Sequence, residues 1–203
     1  WSNSKNCKNF YKKKIPILTF YTFSTENWKR PKKEISFLFK LIEDYFNKEI
    51  NNLKKNGVKI NIIGNIKSLP KKIKKCLIKS TSTTKDCKKI RVNLAINYGS
   101  KHEILSTFKV LKKNQIKISM KNFENNLYTK GMDDPDLLIR TGGKKRLSNF
   151  LLWQLSYSEI YFIKKLWPDF NVNDFNNVLE HFKKVKRNFG KIWATQIKEF
   201  LLH

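Results

Sequence analysis

Hydrophobic and polar positions along the chain follow two periods, one typical of strands and one typical of helices. Runs of β-branched and aromatic residues predict five strands, at residues 15–23, 58–63, 90–96, 136–140 and 159–162. Apolar residues at helical spacing predict helices that start at Pro31 and Pro70, one that follows Gly99 and ends near Leu111, and a last one over residues 174–189. Short helices are predicted near residues 121–127 and 150–155, and the Ser/Thr run at 80–84 predicts a loop.

This order of elements predicts an α/β fold. Strands separated by helices form βαβ units, which build a mostly parallel central sheet with helices on both faces. We expect a single domain over residues 1–203. Ligands of such sheets bind beyond the carboxyl ends of the strands. The loops of interest therefore follow Phe23, Ile63, Asn97, Arg140 and Phe162.

The loop after the first predicted strand carries an unusual density of polar groups. Its sequence over residues 24–31 is STENWKRP, which supplies hydroxyls, a carboxylate, an amide, an indole and a guanidinium. Ser24 and Asn27 could simply cap the next helix. Trp28 and Arg30 are more than a cap requires, so this loop is a candidate binding site.

A second candidate follows the fourth predicted strand. Arg140 and Arg146 flank paired glycines, whose backbone N–H groups can approach an anion closely. Two guanidinium groups can bind phosphate oxygens through bidentate bonds, although many surface turns look alike. Glu159, at the start of the fifth strand, could contribute to a Mg²⁺ site on a diphosphate or could be an ordinary surface carboxylate.

Composition narrows the classes of function. The chain has 43 Lys and Arg against 16 Asp and Glu, a net charge of +27, which would attract nucleic acid, anionic membranes or phosphorylated substrates. The excess is mostly Lys spread along the whole chain, which favours a compositional bias over a dedicated nucleic-acid surface. The three cysteines, Cys7, Cys76 and Cys87, form no metal-binding pattern and are expected to be reduced thiols.

Three stretches, taken together, resemble one known family. They are LTFYTFSTENWKRP at residues 18–31, NLAINYG at 93–99, and PDLLIRTGGKKRLSNFLLWQLSYSEIYFIKKLWPDF at 135–170. The strings are long, distinctive and in the same order as in the cis-prenyltransferases of the undecaprenyl diphosphate synthase family. The resemblance covers nearly the whole chain.

The resemblance implies an enzyme that condenses isopentenyl diphosphate onto an allylic diphosphate, with farnesyl diphosphate expected. Each step would create a cis double bond, and the product would be a polyprenyl diphosphate carrier lipid. The implied cofactor is Mg²⁺. In the loop after the first strand, the resemblance implies that Ser24, Thr25, Glu26 and Trp28 shape the substrate site and that Asn27 takes part in deprotonation of the isopentenyl unit. It implies that Arg30 binds the allylic diphosphate. It also implies that isopentenyl diphosphate is bound by Arg140, Arg146, Leu147 and Ser148, and Mg²⁺ by Glu159.

The chain also departs from the family pattern. The family's first strand ends in an Asp-Gly-Asn-x-Arg-Trp-Ala motif, whose Asp helps to hold Mg²⁺, and this motif does not occur here. We therefore expect an N-terminally truncated form whose 203 residues alone are inactive. Smaller departures are Asn65, Ser100-Lys101 and Lys144, which stand where the family commonly has Asp, Gly-Arg and Glu.

Two other classes of function stay open. A non-catalytic subunit of a heteromeric cis-prenyltransferase would keep Arg140-Thr-Gly142, but such subunits usually lose the intact STENW loop seen here. A basic nucleic-acid-binding protein fits the charge but lacks a recognisable module. The resemblance further implies a homodimer in the cytoplasm, with peripheral contact at the inner face of the membrane and no nucleic-acid partner.

Overall fold

The computed structural model describes Lys13 and residues 15–187. Its strands are β1 (Ile17–Ser24), β2 (Val58–Ile63), β3 (Ile90–Tyr98), β4 (Leu137–Arg140) and β5 (Glu159–Phe162). Its helices are α1 (Lys32–Lys55), α2 (Lys71–Thr83), α3 (Ser100–Lys113), α4 (Met120–Glu124) and α5 (Val172–Lys184). Short 3₁₀ turns lie at Thr25–Lys29, Ile66–Ser68 and Trp167–Asp169.

The described residues divide into two compact units. The first holds the described residues up to Asp133 together with Leu147–Leu152. The second holds Asp134–Arg146 and the described residues from Trp153 onward. Within the part of the chain that the structure describes, no helix is long and apolar enough to cross a membrane.

The sheet of the first unit is parallel and has the strand order β1-β3-β2. The central strand β3 is buried along nearly all its length, as expected for an inner strand of a parallel sheet. The α/β fold class with a parallel sheet, predicted from the sequence, is thus confirmed. The apolar run at residues 15–23 predicts a buried strand, but only Phe23 of β1 is fully buried, because β1 lies at the edge of this sheet.

One face of this sheet carries the hydrophobic core. Alternate residues of β3, such as Val92, Leu94 and Ile96, are at most 2% exposed and belong to the same buried cluster as Phe39 of α1 and Leu77 of α2. Each such side chain contributes about 1.5–3 kcal/mol of burial free energy. The periodic apolar stripes of the two helices therefore explain why they lie on the sheet.

Asn93 of β3, on the alternate set of positions, is the centre of a polar ladder that crosses all three strands. Asn61 Nδ2 donates to Asn93 Oδ1 at 2.9 Å, and Asn93 Nδ2 donates to Thr19 Oγ1 at 3.1 Å. These residues are register partners in the two parallel pairings. Because Asn93 is only 2% exposed, a slip in register would leave its amide buried without partners, so the ladder helps to fix the pairing.

The Ser/Thr run at 80–84 was wrongly predicted as a loop. Helix α2 continues through it to Thr83, and its hydroxyls donate back to main-chain carbonyls, as Ser80 Oγ does to Cys76 O at 2.9 Å. Thr84 Oγ1 then accepts from the backbone N–H of Ile60 at 3.0 Å. The hydroxyls are thus satisfied inside the helix and at its junction with β2, which removes the reason for a loop.

The predicted helix at 150–155 is also wrong, since this stretch is a series of turns. Leu151, inside this stretch, has a φ angle of 44°, which a right-handed helix does not allow, and the preceding Ser148 and Asn149 have φ angles of 51° and 62°. The last helix begins at Val172, two residues before the predicted start, and ends at Lys184. The predicted end at residue 189 lies outside the described residues.

The second unit contains a parallel pair of strands, β4 and β5, and helix α5. The register runs from Leu137 opposite Glu159 to Arg140 opposite Phe162. The turn after β4 is fixed to the turn after β5, because Gly142 N–H donates to Lys165 O at 2.8 Å and Gly143 N–H to Ile163 O at 2.9 Å. Within the described residues, the five predicted strands therefore form one group of three and one of two.

Candidate functional site

The STENW loop is a short 3₁₀ turn at the carboxyl end of β1. Ser24 precedes the turn, and its backbone N–H donates to Asn27 Oδ1 at 2.8 Å. Asn27 therefore does cap a helical turn, but it is this short turn and not the following helix α1. The contact fixes the orientation of the Asn27 amide, whose Nδ2 can donate to a ligand.

Trp28 is held by an asparagine on the neighbouring strand. Its indole Nε1 donates to Asn97 Oδ1 at 2.7 Å. The Asn97 amide nitrogen in turn donates to Asn65 O at 2.7 Å and to Ser68 Oγ at 2.8 Å. One buried amide thereby joins the loops that follow β1 and β2 to the end of β3. Trp28 as a whole keeps 40% of its surface exposed, so the residue is held in place and still accessible.

Asn149 joins Glu26 to the start of helix α3. Its Nδ2 donates to Glu26 Oε1 at 2.8 Å. Its Oδ1 accepts from the backbone N–H of Lys101 at 2.8 Å, and its main-chain carbonyl accepts from the N–H of Ser100 at 2.8 Å. Two of the N–H groups that the first turn of a helix leaves unpaired are thus capped by a residue far away in the sequence.

Gly99 is required by this close approach. A Cβ atom at this position would lie 2.7 Å from Asn149 Nδ2 and would also collide with Thr25 Oγ1. Real Cβ atoms do not approach polar atoms this closely. The glycine therefore lets the Thr25 loop and the Asn149 segment meet over the amino end of α3.

Tyr21 supports the same segment from β1. Its hydroxyl lies 3.3 Å from both Ser148 O and Tyr98 O, and its ring stacks on Phe150 with centroids 4.5 Å apart. Burial, followed by the charge of Glu26, raises the pKa of Tyr21 to about 12. The hydroxyl therefore keeps its proton and remains a donor to these carbonyls at physiological pH.

Glu26 is a stable carboxylate. Partial burial acts to raise its pKa, but hydrogen bonds, the one from Asn149 foremost, outweigh burial and lower the pKa below its ordinary value. Thr25 Oγ1 also donates to Glu26 Oε2, at 3.2 Å. The loop thus carries a negative charge at Glu26, two residues before Trp28.

Beneath this region lies a buried carboxylate, Glu103, which is 1% exposed. Tyr98 OH donates to its Oε2 at 2.5 Å, and the backbone N–H of Tyr128 donates to its Oε1 at 2.8 Å. Burial, and then the nearby charge of Glu103, raises the pKa of Tyr98 well above its ordinary value. This group is part of the support for Asn97 and Gly99 on either side of Tyr98.

In the second unit, Arg140 and Arg146 lie close together at the end of β4. Arg140 Nη1 donates to the main-chain carbonyl of Arg146. Burial and the charge of Arg146 both lower the pKa of Arg140. The turn between them contains Gly142 and Gly143 at φ angles of 86° and 69°, which favour glycine. Two cations near a glycine turn form a site whose mutual repulsion an anion would relieve.

Arg30 and Glu159 are in less specialised surroundings. Arg30 Nη1 forms an exposed ion pair with Glu34 Oε1 at 2.6 Å. Such a surface pair contributes at most about 1 kcal/mol, so an anion could displace the carboxylate. Glu159 is half-buried at the start of β5, with its backbone N–H bonded to Asp136 O at 3.0 Å.

The residues present fit Mg²⁺ only in one way. The described residues contain no group of three or more His, Cys, Asp or Glu side chains that could hold a metal ion. The neighbouring Asp136 carboxylate is paired with Arg187. Glu159 can therefore supply one ligand to an ion that takes its other ligands from diphosphate oxygens and water, which is how Mg²⁺ is commonly bound with phosphorylated substrates.

The structure brings together several of the predicted site residues within each unit. In the first, Glu26 is linked through Asn149 to the segment that carries Ser148; in the second, Arg140 contacts Arg146. The sequence reasoning gave no role to Asn97, Gly99 or Asn149. Two signals in the sequence point to them: Asn97 and Gly99 lie inside the distinctive stretch NLAINYG, and Asn149 directly follows Ser148.

Comparison with known proteins gives consistent matches. A family model described as "Putative undecaprenyl diphosphate synthase" matches residues 2–190. An isoprenyl transferase from Rickettsia bellii is 45% identical over 183 residues, which cover 90% of this chain and 81% of that protein. An isoprenyl transferase from Clostridium tetani is 41% identical over 195 residues, which cover 93% of this chain and 75% of the relative.

Two solved structures resemble the fold closely. One is a probable undecaprenyl diphosphate synthase from Campylobacter jejuni, with a TM-score of 0.85 and 37% identity, covering 92% of this chain and 89% of that chain. The other is lavandulyl diphosphate synthase from Lavandula x intermedia in complex with dimethylallyl diphosphate. The match has a TM-score of 0.86 and 30% identity, and it covers 91% of this chain and 83% of the lavender chain.

Proposed function

We propose that this chain, which belongs to the undecaprenyl diphosphate synthase family, condenses isopentenyl diphosphate onto an allylic diphosphate to lengthen a cis-polyprenyl chain. Its family makes it a prenyltransferase; the substrates and the product are part of the proposal. The observation that carries it is the pair Arg140 and Arg146 around a glycine turn, a cationic site at the end of a strand.

The residues divide between the two substrates. Arg140, Arg146 and Ser148, with Leu147 beside them, would bind isopentenyl diphosphate through charge-assisted hydrogen bonds. Arg30 would exchange Glu34 for the diphosphate of the allylic substrate, expected to be farnesyl diphosphate. The structural relative solved with dimethylallyl diphosphate supports an allylic diphosphate as the second substrate.

The reaction breaks the C1–O bond of the allylic diphosphate and forms a C–C bond from C1 to C4 of the isopentenyl unit. Diphosphate leaves with the bonding pair, and a proton is lost from C2 of the isopentenyl unit. Arginine donors stabilise the charge that builds on the departing oxygens. Asn27, with its Oδ1 held by the loop, would use Nδ2 to orient the group that accepts the proton.

Mg²⁺ fits as a companion of the substrate. It would be held by Glu159 and diphosphate oxygens, and when bound it supplies charge neutralisation to the leaving group. We further propose a polyprenyl carrier lipid as product, a homodimer as the assembled form, and a cytoplasmic protein with peripheral contact to the inner membrane face.

The test is incorporation of labelled isopentenyl diphosphate by the full-length protein with farnesyl diphosphate and Mg²⁺, with products separated by chain length. Arg146→Gln should lower kcat/KM for isopentenyl diphosphate about 100-fold, since hydrogen bonds to a charged group contribute about 1.5–3 kcal/mol each. Arg91→Gln is the matched control, because Arg91 lies near the start of β3 and Asn97 near its end. The activity of the Arg91→Gln variant should stay within about threefold of wild type.

Two results would contradict the proposal. The first is a folded wild-type protein that incorporates no label with any allylic diphosphate. The second is an Arg146→Gln variant as active as Arg91→Gln. Activity that emerges only on mixing with a catalytic homologue would instead favour the non-catalytic partner subunit.

A further inference from the structure

The segment Leu147–Leu152 has an unusual backbone. Three of its residues, Ser148, Asn149 and Leu151, have positive φ angles. Non-glycine residues rarely adopt this conformation, which costs roughly 1–2 kcal/mol for most side chains and less for Asn. Such a conformation persists only where the surroundings hold it. Here the holding contacts converge on Asn149.

Asn149 uses both ends of its side-chain amide and its main-chain carbonyl. The nitrogen donates to the Glu26 carboxylate, and the oxygen and the carbonyl accept from the first N–H groups of α3. The preceding residue, Ser148, receives the Tyr21 hydroxyl on its main-chain oxygen. The segment is therefore attached to β1, to the STENW loop and to α3 at once.

We propose that Asn149 is a positioning residue, which locks the segment carrying Ser148 to the Glu26 loop so that both substrate-binding stretches keep one arrangement. The inference rests on the proposed function and adds a residue to which the family resemblance assigned no role. Asn149 does not touch the reacting atoms; it acts through Ser148 and Glu26.

The geometry explains why asparagine is the suited residue. Asp would keep the left-handed backbone and the acceptor for Lys101 N–H, but it would face the Glu26 carboxylate without a proton to donate. Gly would keep the backbone and lose the side chain. Gln would carry its amide one methylene farther from the backbone. The space around this amide is tight, since a Cβ at Gly99 would lie only 2.7 Å from Asn149 Nδ2.

The polarity of the bond can be reversed, which supplies a specific test. In a Glu26→Gln, Asn149→Asp double variant, the new amide nitrogen at position 26 can donate to the new carboxylate at 149. The second carboxylate oxygen can still accept from Lys101 N–H. The bond is then restored with donor and acceptor exchanged, in nearly the same space.

The experiment compares the full-length wild type with Asn149→Asp, Glu26→Gln and the double variant. Asn47→Asp is the control, because Asn47 is exposed on α1. The readouts are kcat and KM for each diphosphate, the pH profile, and thermal unfolding. Asn149→Asp should lower kcat/KM for isopentenyl diphosphate about 10- to 100-fold, since a charge-assisted bond becomes a contact between like charges. The double variant should recover at least about fivefold over Asn149→Asp.

The pH profile separates this role from a merely structural one. Two carboxylates in contact share a proton more readily, so the Asn149→Asp defect should shrink as the pH falls from about 8 to about 6. Titratable groups near position 149 are Glu26, the Lys101 and His102 side chains on the first turn of α3, and Tyr21, which stays protonated over this range. Because Lys101, His102 and Tyr21 are present in wild type as well, the comparison with wild type isolates the new carboxylate. The Asn47→Asp control should show the wild-type profile.

Several outcomes would overturn the inference while leaving the proposed function intact. One is an active wild type whose kcat/KM is matched by Asn149→Asp, and another is a double variant no more active than Asn149→Asp. A third is a loss of kcat/KM in each variant that is fully accounted for by its lower unfolding temperature. A wild type with no incorporation would instead overturn the proposed function, and this inference with it.

Discussion

At the scale of single residues, the candidate site is built on asparagines in left-handed backbone. Asn97 and Asn149 have φ angles of 50° and 62°, and the side-chain amide of each forms hydrogen bonds that join segments distant in sequence. Asn tolerates this conformation better than other non-glycine residues, and it offers a donor and an acceptor in one short side chain. The same residue type thus satisfies the backbone requirement and the hydrogen-bonding requirement together.

The role of Asn97 leads to a prediction that separates these two requirements. Asn97→Gly keeps the backbone freedom and removes the acceptor of the Trp28 indole, whereas Asn97→Ala loses both. We expect both to lower kcat/KM by about tenfold, because the hydrogen bonds that hold Trp28 and join its loop to the loop after β2 are lost. Asn97→Ala should in addition be about 1 kcal/mol less stable than Asn97→Gly in urea unfolding. Equal stability of the two variants would contradict the assigned cost of the left-handed backbone.

At the scale of elements, the start of a helix is fixed by the hydrogen bonds that cap it, and these come from nearby or from distant residues. Helix α5 has a local cap, since Asn171 Oδ1 accepts from the N–H groups of Asn173 and Asp174. Helix α3 begins after Gly99 without a side-chain cap of its own, and Asn149 supplies one from elsewhere. The first start can be read from the sequence, whereas the second depends on the folded chain.

The local cap of α5 predicts a pH dependence. Hydrogen bonds from Lys165 and from the backbone N–H of Asn171 lower the pKa of Asp174. Because the folded pKa lies below the unfolded one, the stabilisation is complete above the ordinary Asp pKa, near 3.9, and is lost as the pH falls through the folded value. The free energy of unfolding of Asp174→Asn should therefore be lower than that of wild type at about pH 7 and approach it at about pH 2–3.

Asp44→Asn, an exposed position on α1, is the control for this titration. It should change the free energy of unfolding by less than about 0.5 kcal/mol at either pH. Urea unfolding at a series of pH values measures both variants. A gap between wild type and Asp174→Asn that does not narrow in acid would show that the carboxylate charge is not what stabilises the helix start.

At the scale of the whole molecule, charge is the dominant feature. The net charge of +27 comes from 43 basic against 16 acidic residues, so most basic groups cannot each pair with an acidic group of their own. The ion pairs on the surface, such as Arg30 with Glu34, involve exposed side chains and contribute little. Repulsion among the lysines should therefore lower the stability of the folded state.

Added salt should accordingly stabilise this protein. Raising sodium chloride from about 20 mM to about 500 mM shortens the screening length several-fold, which weakens long-range repulsion. We expect the midpoint of thermal unfolding to rise by several degrees, whereas a neutral osmolyte at equal osmolality should not reproduce the salt effect in full. A midpoint that falls with salt would show that attractive ion pairs outweigh the repulsion.

The sequence by itself determined most of the elements, the exact bounds of two strands, the parallel α/β fold and the family. Apolar periodicity and distinctive strings are local, so Val58–Ile63 and Glu159–Phe162 could be predicted to the residue. The folded structure decided that the Ser/Thr run is helical, because its hydroxyls bond carbonyls of their own helix and Thr84 also bonds Ile60 of β2. It likewise decided that residues 150–155 form turns. It also decided that Asn149 meets Glu26, 123 residues away in sequence, since no local pattern specifies a partner that only chain folding brings within hydrogen-bonding distance.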